Sequence, residues 1–189
     1  DLGIQALKKE LLPITFLLTP NLKEAEILSG VKIRNYADRV RAARVLVKMG
    51  AKYVLIKGGH LKGKPQDLFF DGKRELTLDA DRLIDTDVHG TGCVLAASIT
   101  ASLVKGKDII TSIKEAKEFI GLAIMAAVAS GKGVPQVEPL ARLYQDSERY
   151  DMCQRVHETV GVLKDHCIGE LIPEVQSNIG FGLENANTL

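Results

Sequence analysis

The residues best suited to chemistry in this chain fall in three short stretches. One is Ile84-Asp85-Thr86-Asp87-Val88-His89-Gly90-Thr91-Gly92-Cys93, a glycine-bearing turn that runs into an apolar segment from Val94 to Val104. That segment is too long for an ordinary strand and rich in alanine, so it reads as a buried helix. The turn then lies on the helix N-terminus, where the leading N–H groups have no intrahelical partner and the macrodipole adds positive charge. Glycines at 90 and 92 let an anion approach the bare backbone. Taken by itself, the turn is equally a glycine-lined cap without a ligand. The second stretch is Lys57-Gly58-Gly59-His60, directly after an apolar run. A lysine there is costly unless it meets an anion or reaches solvent at the strand end. The third is Thr19-Pro20-Asn21-Leu22-Lys23-Glu24, in which Asn21 and Glu24 share one helical face near its start. A carboxylate, a lysine and an anion-binding helix start are the parts that phosphoryl transfer needs.

The surrounding elements decide whether these stretches can meet. Ile4, Leu7 and Leu11 recur at helical spacing, and Pro13 closes that helix. Thr15 to Leu18 is short, apolar and partly β-branched, which predicts a strand. Thr19 and Pro20 read as N-cap and first residue of a helix with Leu22, Ala25 and Leu28 inward, stopped by Gly30. The next helix runs from about Tyr36 to Met49. Tyr36, Val40, Ala43 and Val47 form its inner stripe, and Asp38, Arg39, Arg41, Arg44 and Lys48 its solvated face. The continuous apolar run Tyr53 to Ile56 suits a central strand covered on both faces. Strands around Leu68–Phe70 and Glu75–Leu78, joined by Asp71-Gly72, predict a hairpin. A long helix begins near Asp108, with Ile113, Ala116, Ile120, Ala123, Ala127 and Val128 inward, and ends in the glycine-rich segment at 130–135. Residues 141–149 read as a polar linker, and a helix from about Tyr150 to Lys164 follows, with Val156, Val160 and Leu163 inside.

Strands alternate with helices up to residue 130, with one hairpin inserted. That order predicts an α/β sheet, mostly parallel, with helices on both faces. Ligands of such sheets bind beyond the carboxyl ends of the strands. All three stretches sit at strand ends, so one cleft would collect them.

Bulk properties narrow the classes. An apolar fraction of 46% suits a globular core, and a net charge of +1 gives no electrostatic reason for a nucleic-acid or membrane partner. Three cysteines without paired spacing argue against a disulfide framework and for a reducing, cytoplasmic compartment. The chain opens at Asp1 in what reads as the middle of a helix, so it is expected to be a fragment. Cys153, His157, His166 and Cys167 invite a zinc reading, but their spacing matches no usual finger.

At the three stretches the sequence resembles the hydroxymethylpyrimidine phosphate kinases of the ribokinase-like superfamily. Thr19-Pro20-Asn21-Leu22-Lys23-Glu24-Ala25 is similar to that family's Thr-Pro-Asn-x-x-Glu-Ala. Val54 to His60 resembles its strand and lysine turn, and His89-Gly90-Thr91-Gly92-Cys93 its anion-hole signature. The cysteine stands where many sugar kinases of the superfamily have aspartate. Val88 departs from the polar residue that the family often has before the histidine. The resemblance covers roughly residues 1–140. It implies a ribokinase-like three-layer sandwich whose first strands are missing from this chain, so no residue is assigned to the substrate ring. Residues 150–189 read as the start of a second domain. Within them, Glu170 to Val175 and Ser177-Asn178-Ile179 resemble the opening of an archaeal-type thiamine-phosphate synthase domain.

The resemblance also implies ATP and Mg²⁺ as cofactors, and hydroxymethylpyrimidine or its monophosphate as acceptor, in thiamine biosynthesis. A pyridoxal kinase-like enzyme and a non-catalytic nucleotide-binding fragment are the alternatives. A homo-oligomer is compatible with all three. Gly90, Thr91 and Gly92, with the N–H of Cys93, would form the anion hole. Cys93 would act as general base, against the alternative of a small buried hydrophobe. Lys57 and Gly59 would contact the ATP phosphates, and Asn21 and Glu24 the magnesium and its waters. A plain first-turn acid is the other reading of Glu24. His60 and His89 could polarise the nucleotide phosphates, the alternatives being an ordinary turn residue for His60 and, for His89, a ring N–H that holds the loop. Asp85 and Thr86, with Asp87, would help hold nucleotide or metal, although Asp85 could simply end its strand.

Overall fold

A computed structural model describes residues 2–58, 66–79, 88–129, 131 and 133–165 of the 189-residue chain. Its centre is strand β2 (Tyr53–Ile56), in which Val54, Leu55 and Ile56 are fully buried. Successive side chains of a strand point to opposite faces. Val54 and Ile56 therefore enter one core and Leu55 the other. Strand β3 (Gln66–Phe70) repeats the division, with Leu68 and Phe70 on the first side and Phe69 on the second. Helices α2 (Leu22–Ser29) and α3 (Tyr36–Lys48) close the first core with Ala25, Leu28, Val40, Ala43 and Leu46. Helices α4 (Thr91–Val104) and α5 (Ile109–Met125) close the second with Leu95, Ile99, Ile113, Ala116 and Ile120. The result is a three-layer α/β/α sandwich.

The described sheet has the order β1-β2-β3-β4, with β1 at Leu17–Leu18 and β4 at Glu75–Asp79. β1 pairs parallel to β2, with Leu17 opposite Tyr53. The β2–β3 and β3–β4 pairs are antiparallel. The sheet is thus mixed rather than mostly parallel among the described residues, because the hairpin joins it through β2. The hairpin turn is held by Asp71, whose carboxylate accepts the N–H groups of Lys73 and Arg74, and Gly72 supplies a φ of 93°.

Other boundaries differ from the expectations. The first helix divides into α1 (Leu2–Ala6), a π-helical turn (Leu7–Leu11) and a 3₁₀ turn (Leu12–Ile14) that contains Pro13. The N-cap of α2 is Asn21, not Thr19. On α3, Asp38 and Arg39 are buried rather than solvated, while Tyr36 is exposed. Both buried charges are partnered. Asp38 accepts the Arg34 N–H and pairs with Arg41, and Arg39 donates to the carbonyl of Gln66. Only Leu95, Ile99 and Ser102 of α4 are buried, and Val104 is 83% exposed, so this helix is covered on one face. α5 ends at Met125, before Ala127 and Val128, because Val128 leaves the helix to pair with Gln136. The stretch at 141–149, expected as a linker, belongs to one helix, α6 (Ala141–Asp165). On α6 the residues Val156, Val160 and Leu163 are half-buried. Among the described residues, no helix is long and apolar enough to cross a membrane.

Candidate active site

The glycine turn is shaped by its backbone. Gly90 is the N-cap of α4, with φ 89°, a conformation that L side chains rarely adopt. A Cβ added there would also lie 2.9 Å from Cγ1 of Val137. Among the described residues, no side chain caps the helix start. The amides of Thr91, Gly92 and Cys93 have no intrahelical partner, and no side-chain cap among the described residues. The turn is fastened from behind by residues 135–137. The His89 N–H donates to the Pro135 carbonyl at 2.8 Å, and the Val137 N–H donates to the His89 carbonyl at 3.1 Å. It is therefore the backbone of His89 that holds the loop. Its ring is exposed, and no ring hydrogen bond occurs among the described residues.

Lys57 follows β2 and is half-buried. Its N–H donates to the carbonyl of Pro20 at 2.8 Å, and Lys57 and Asn21 form an isolated parallel bridge. The lysine turn is thereby docked on the Thr-Pro-Asn stretch. The side chain reaches the other way, toward the glycine turn. A Cβ built on Gly92 would lie 2.9 Å from Nζ of Lys57. The ammonium thus stands against the first turn of α4, and its charge adds to the positive end of the helix dipole. The following residue, Gly58, donates its N–H to Oδ1 of Asp67 at 2.8 Å.

Asn21 and Glu24 form a reciprocal capping box. Oδ1 of Asn21 accepts the Glu24 N–H at 2.9 Å, and Oε2 of Glu24 accepts the Asn21 N–H at 2.8 Å. This leaves Oε1 of the exposed Glu24 without a bond to the described residues. Magnesium commonly takes one or two carboxylate oxygens and keeps several waters beside substrate phosphates. One free carboxylate oxygen beside the lysine turn fits such an ion held mostly by phosphate and water.

The structure therefore brings together Asn21, Glu24, Lys57 and the turn Gly90-Thr91-Gly92-Cys93. The Cys93 thiol is free and exposed, which excludes the buried-hydrophobe reading. Gly59, His60, Asp85, Thr86 and Asp87 lie outside the described residues, as do His166 and Cys167. Cys153 and His157 are exposed on α6, and among the described residues no three His, Cys, Asp or Glu side chains group as a metal site. Two supports escape a sequence reading. The strap at 135–137 has no residue type that announces it. The capping box is missed as well when the N-cap is placed at Thr19, although Asn-x-x-Glu before an apolar stripe is its signature.

A three-layer α/β/α sandwich with a lysine and a glycine-lined helix start meeting beside a strand end is a ribokinase-like arrangement. The chain belongs to the phosphomethylpyrimidine kinase family, whose model matches residues 1–138. A hydroxymethylpyrimidine/phosphomethylpyrimidine kinase of Aquifex aeolicus is 43% identical over 132 residues, covering 69% of this chain and 52% of the relative. Its counterpart from Streptomyces coelicolor is 38% identical over 136 residues, covering 72% and 51%. The chain thus spans about half the length of these curated relatives. Among solved structures, an ADP complex of Bacillus subtilis pyridoxal kinase superposes with a TM-score of 0.71 at 38% identity, over 76% of this chain and 57% of that one.

Proposed function

We propose that these residues supply the phosphate-handling side of an ATP-dependent kinase for hydroxymethylpyrimidine or its monophosphate, acting in thiamine biosynthesis in the cytoplasm. The observation that carries the reading is the Lys57 ammonium standing at Gly92, beside the first-turn amides of Thr91, Gly92 and Cys93. In the transfer, the acceptor hydroxyl attacks the γ-phosphorus of ATP and the bond to the bridging oxygen of ADP breaks. The negative charge of the transferring group falls to the first-turn amides and to Lys57. One such donor typically contributes about 3 kcal/mol to the transition state. Cys93 takes the hydroxyl proton. Glu24 would hold Mg²⁺ through its free oxygen and Asn21 through water, and the ion would neutralise phosphate charge. Gly59, Asp85 and Thr86 are further candidates for the nucleotide.

A pyridoxal acceptor is the second reading, favoured by the likeness to the B. subtilis pyridoxal kinase. The acceptor pocket is assigned to none of the described residues. We read the 189 residues as one part of the working enzyme, since the chain spans about half the length of its curated relatives. The isolated chain is accordingly expected to bind Mg·ATP without useful turnover. Calorimetric titration with Mg·ATP, then turnover of the full-length protein on hydroxymethylpyrimidine phosphate and on pyridoxal, tests the reading. Absence of nucleotide binding by both forms would refute it, and preference for pyridoxal would replace the acceptor.

A further inference from the structure

Lys57 can serve an anion only if its backbone is fixed, and both amides that flank it are bonded. The Lys57 N–H is taken by Pro20, and the Gly58 N–H by the carboxylate of Asp67. Asp67 sits on β3, where residues of its parity face α5. It is buried, and its second oxygen pairs with the ammonium of Lys117 on α5, whose side chain is only 15% exposed. A buried carboxylate is costly without such a partner. The neighbouring Gln66 is braced from the opposite layer. Arg39, buried on α3, donates from Nη1 to the Gln66 carbonyl at 2.8 Å and lies 5.4 Å from the Tyr36 ring centre. Gly58 lies so close to this strand start that an added Cβ would be 2.0 Å from the Gln66 carbonyl oxygen.

We propose that Asp67 and Lys117 form a buried ion pair whose task is to position Lys57, holding the Lys57–Gly58 peptide so that the ammonium meets Gly92. Neither residue reaches the reacting atoms by this route. They act through the Gly58 amide as positioning residues, with Arg39 fixing the adjoining carbonyl from the other helical layer. The inference rests on the phosphate-site reading for its purpose, but its geometry can be tested without any ligand.

The test uses the 189-residue chain labelled at lysine and glycine. The nuclear Overhauser contact between the Lys57 ε-methylene and the Gly92 α-protons reports position, and calorimetry with inorganic pyrophosphate reports anion binding. The double variant Asp67→Leu/Lys117→Met removes the pair without leaving one charge buried alone. It is expected to lose the contact and to weaken pyrophosphate by about tenfold, the scale of one lost charge-assisted contact. Lys117→Arg should keep both signals. Leu46→Ala, in the opposite core, should lower the Tm while leaving both unchanged, which separates positioning from general stability. Asp67→Asn, of nearly the same shape, should move in the same direction as the double variant by less, and serves if the double variant does not fold. A folded variant lacking the pair but with wild-type contact and affinity overturns the proposal. If the wild type shows the contact but binds neither pyrophosphate nor Mg·ADP, the phosphate reading fails. Loss of the contact in the double variant would still support the ion pair as the support of Lys57.

Discussion

Gly92 is subject to opposite demands from its helix and from its site. In a helix, alanine is favoured over glycine by up to about 1 kcal/mol. A methyl at 92 would meet Nζ of Lys57, the far end of a flexible side chain that can swing away. Gly92→Ala should therefore keep or raise the Tm while weakening pyrophosphate, measured by melting and calorimetry on the same sample. A lower Tm with unchanged affinity would show that the ammonium does not depend on this space. Cys93 offers a second separation. In the full-length enzyme, Cys93→Ala should lower kcat by about 10²–10⁴-fold with nucleotide Kd nearly unchanged. Cys93→Ser should resemble Ala, and Cys93→Asp should retain more activity. Wild-type single-turnover rates in Ala and Ser would leave the chemistry to the amides and Lys57. At this scale, Lys57, Gly90, Gly92, Asn21 and Glu24 were legible because their types are unusual where they stand. Asp67 and Lys117 were not, since partners 50 positions apart leave no mark in either local stretch.

Helix starts carry the local order of this fold. Asn21 caps α2 while its neighbour Pro20 anchors Lys57, so the cap and the site share one turn. Asn21→Ala should cost about 1 kcal/mol of stability, seen as a lower Tm. Asn21→Asp should restore it, and no loss in Ala would mean that packing alone fixes this helix start. α5 starts at Asp108, whose carboxyl is held below its ordinary range by the Thr111 hydroxyl and then by the Thr111 and Ile110 amides. The start of α5 was legible from the aspartate after Gly106. The inner and outer faces of α3 were not fully legible. Arg39 reads as a solvated cation on the helix, and its burial depends on a carbonyl that only the folded sheet brings to it. The start of α6 at Ala141 was hidden by polar residues, because a mostly exposed helix has no apolar stripe to reveal it.

Among the described residues, the carboxyls displaced from their ordinary range all move the same way. Glu26, Asp38, Asp71, Asp108 and Glu115 are each held below the ordinary range. For Glu26 the first cause is the Ile33 amide, and for Asp38 the Arg34 amide. For Asp71 it is the Arg74 amide, and for Glu115 the Lys107 ammonium. A carboxyl whose folded pKa is depressed contributes stability that is present above its unfolded value, near about 4. That contribution is lost as the pH falls through the folded value. Tm should accordingly stay level toward neutrality and drop as the solution is acidified below about pH 4. Asp108→Asn should flatten part of that slope, and a Tm that rises on acidification would contradict the bonding described. The α/β class itself was legible from the alternation of strands and helices. The mixed pairing was not, because a hairpin signal does not say which neighbour its strands adopt. The strap over the glycine turn, finally, limits how this lineage can change in length. Gln136 pairs with both Val128 and His89. Extra residues between 129 and 135 can bulge outward and leave both pairs in place. An insertion within 136–138 would put the alternation out of step and pull the start of α4 with it. Natural insertions and deletions in this connection should therefore fall almost wholly before Gln136.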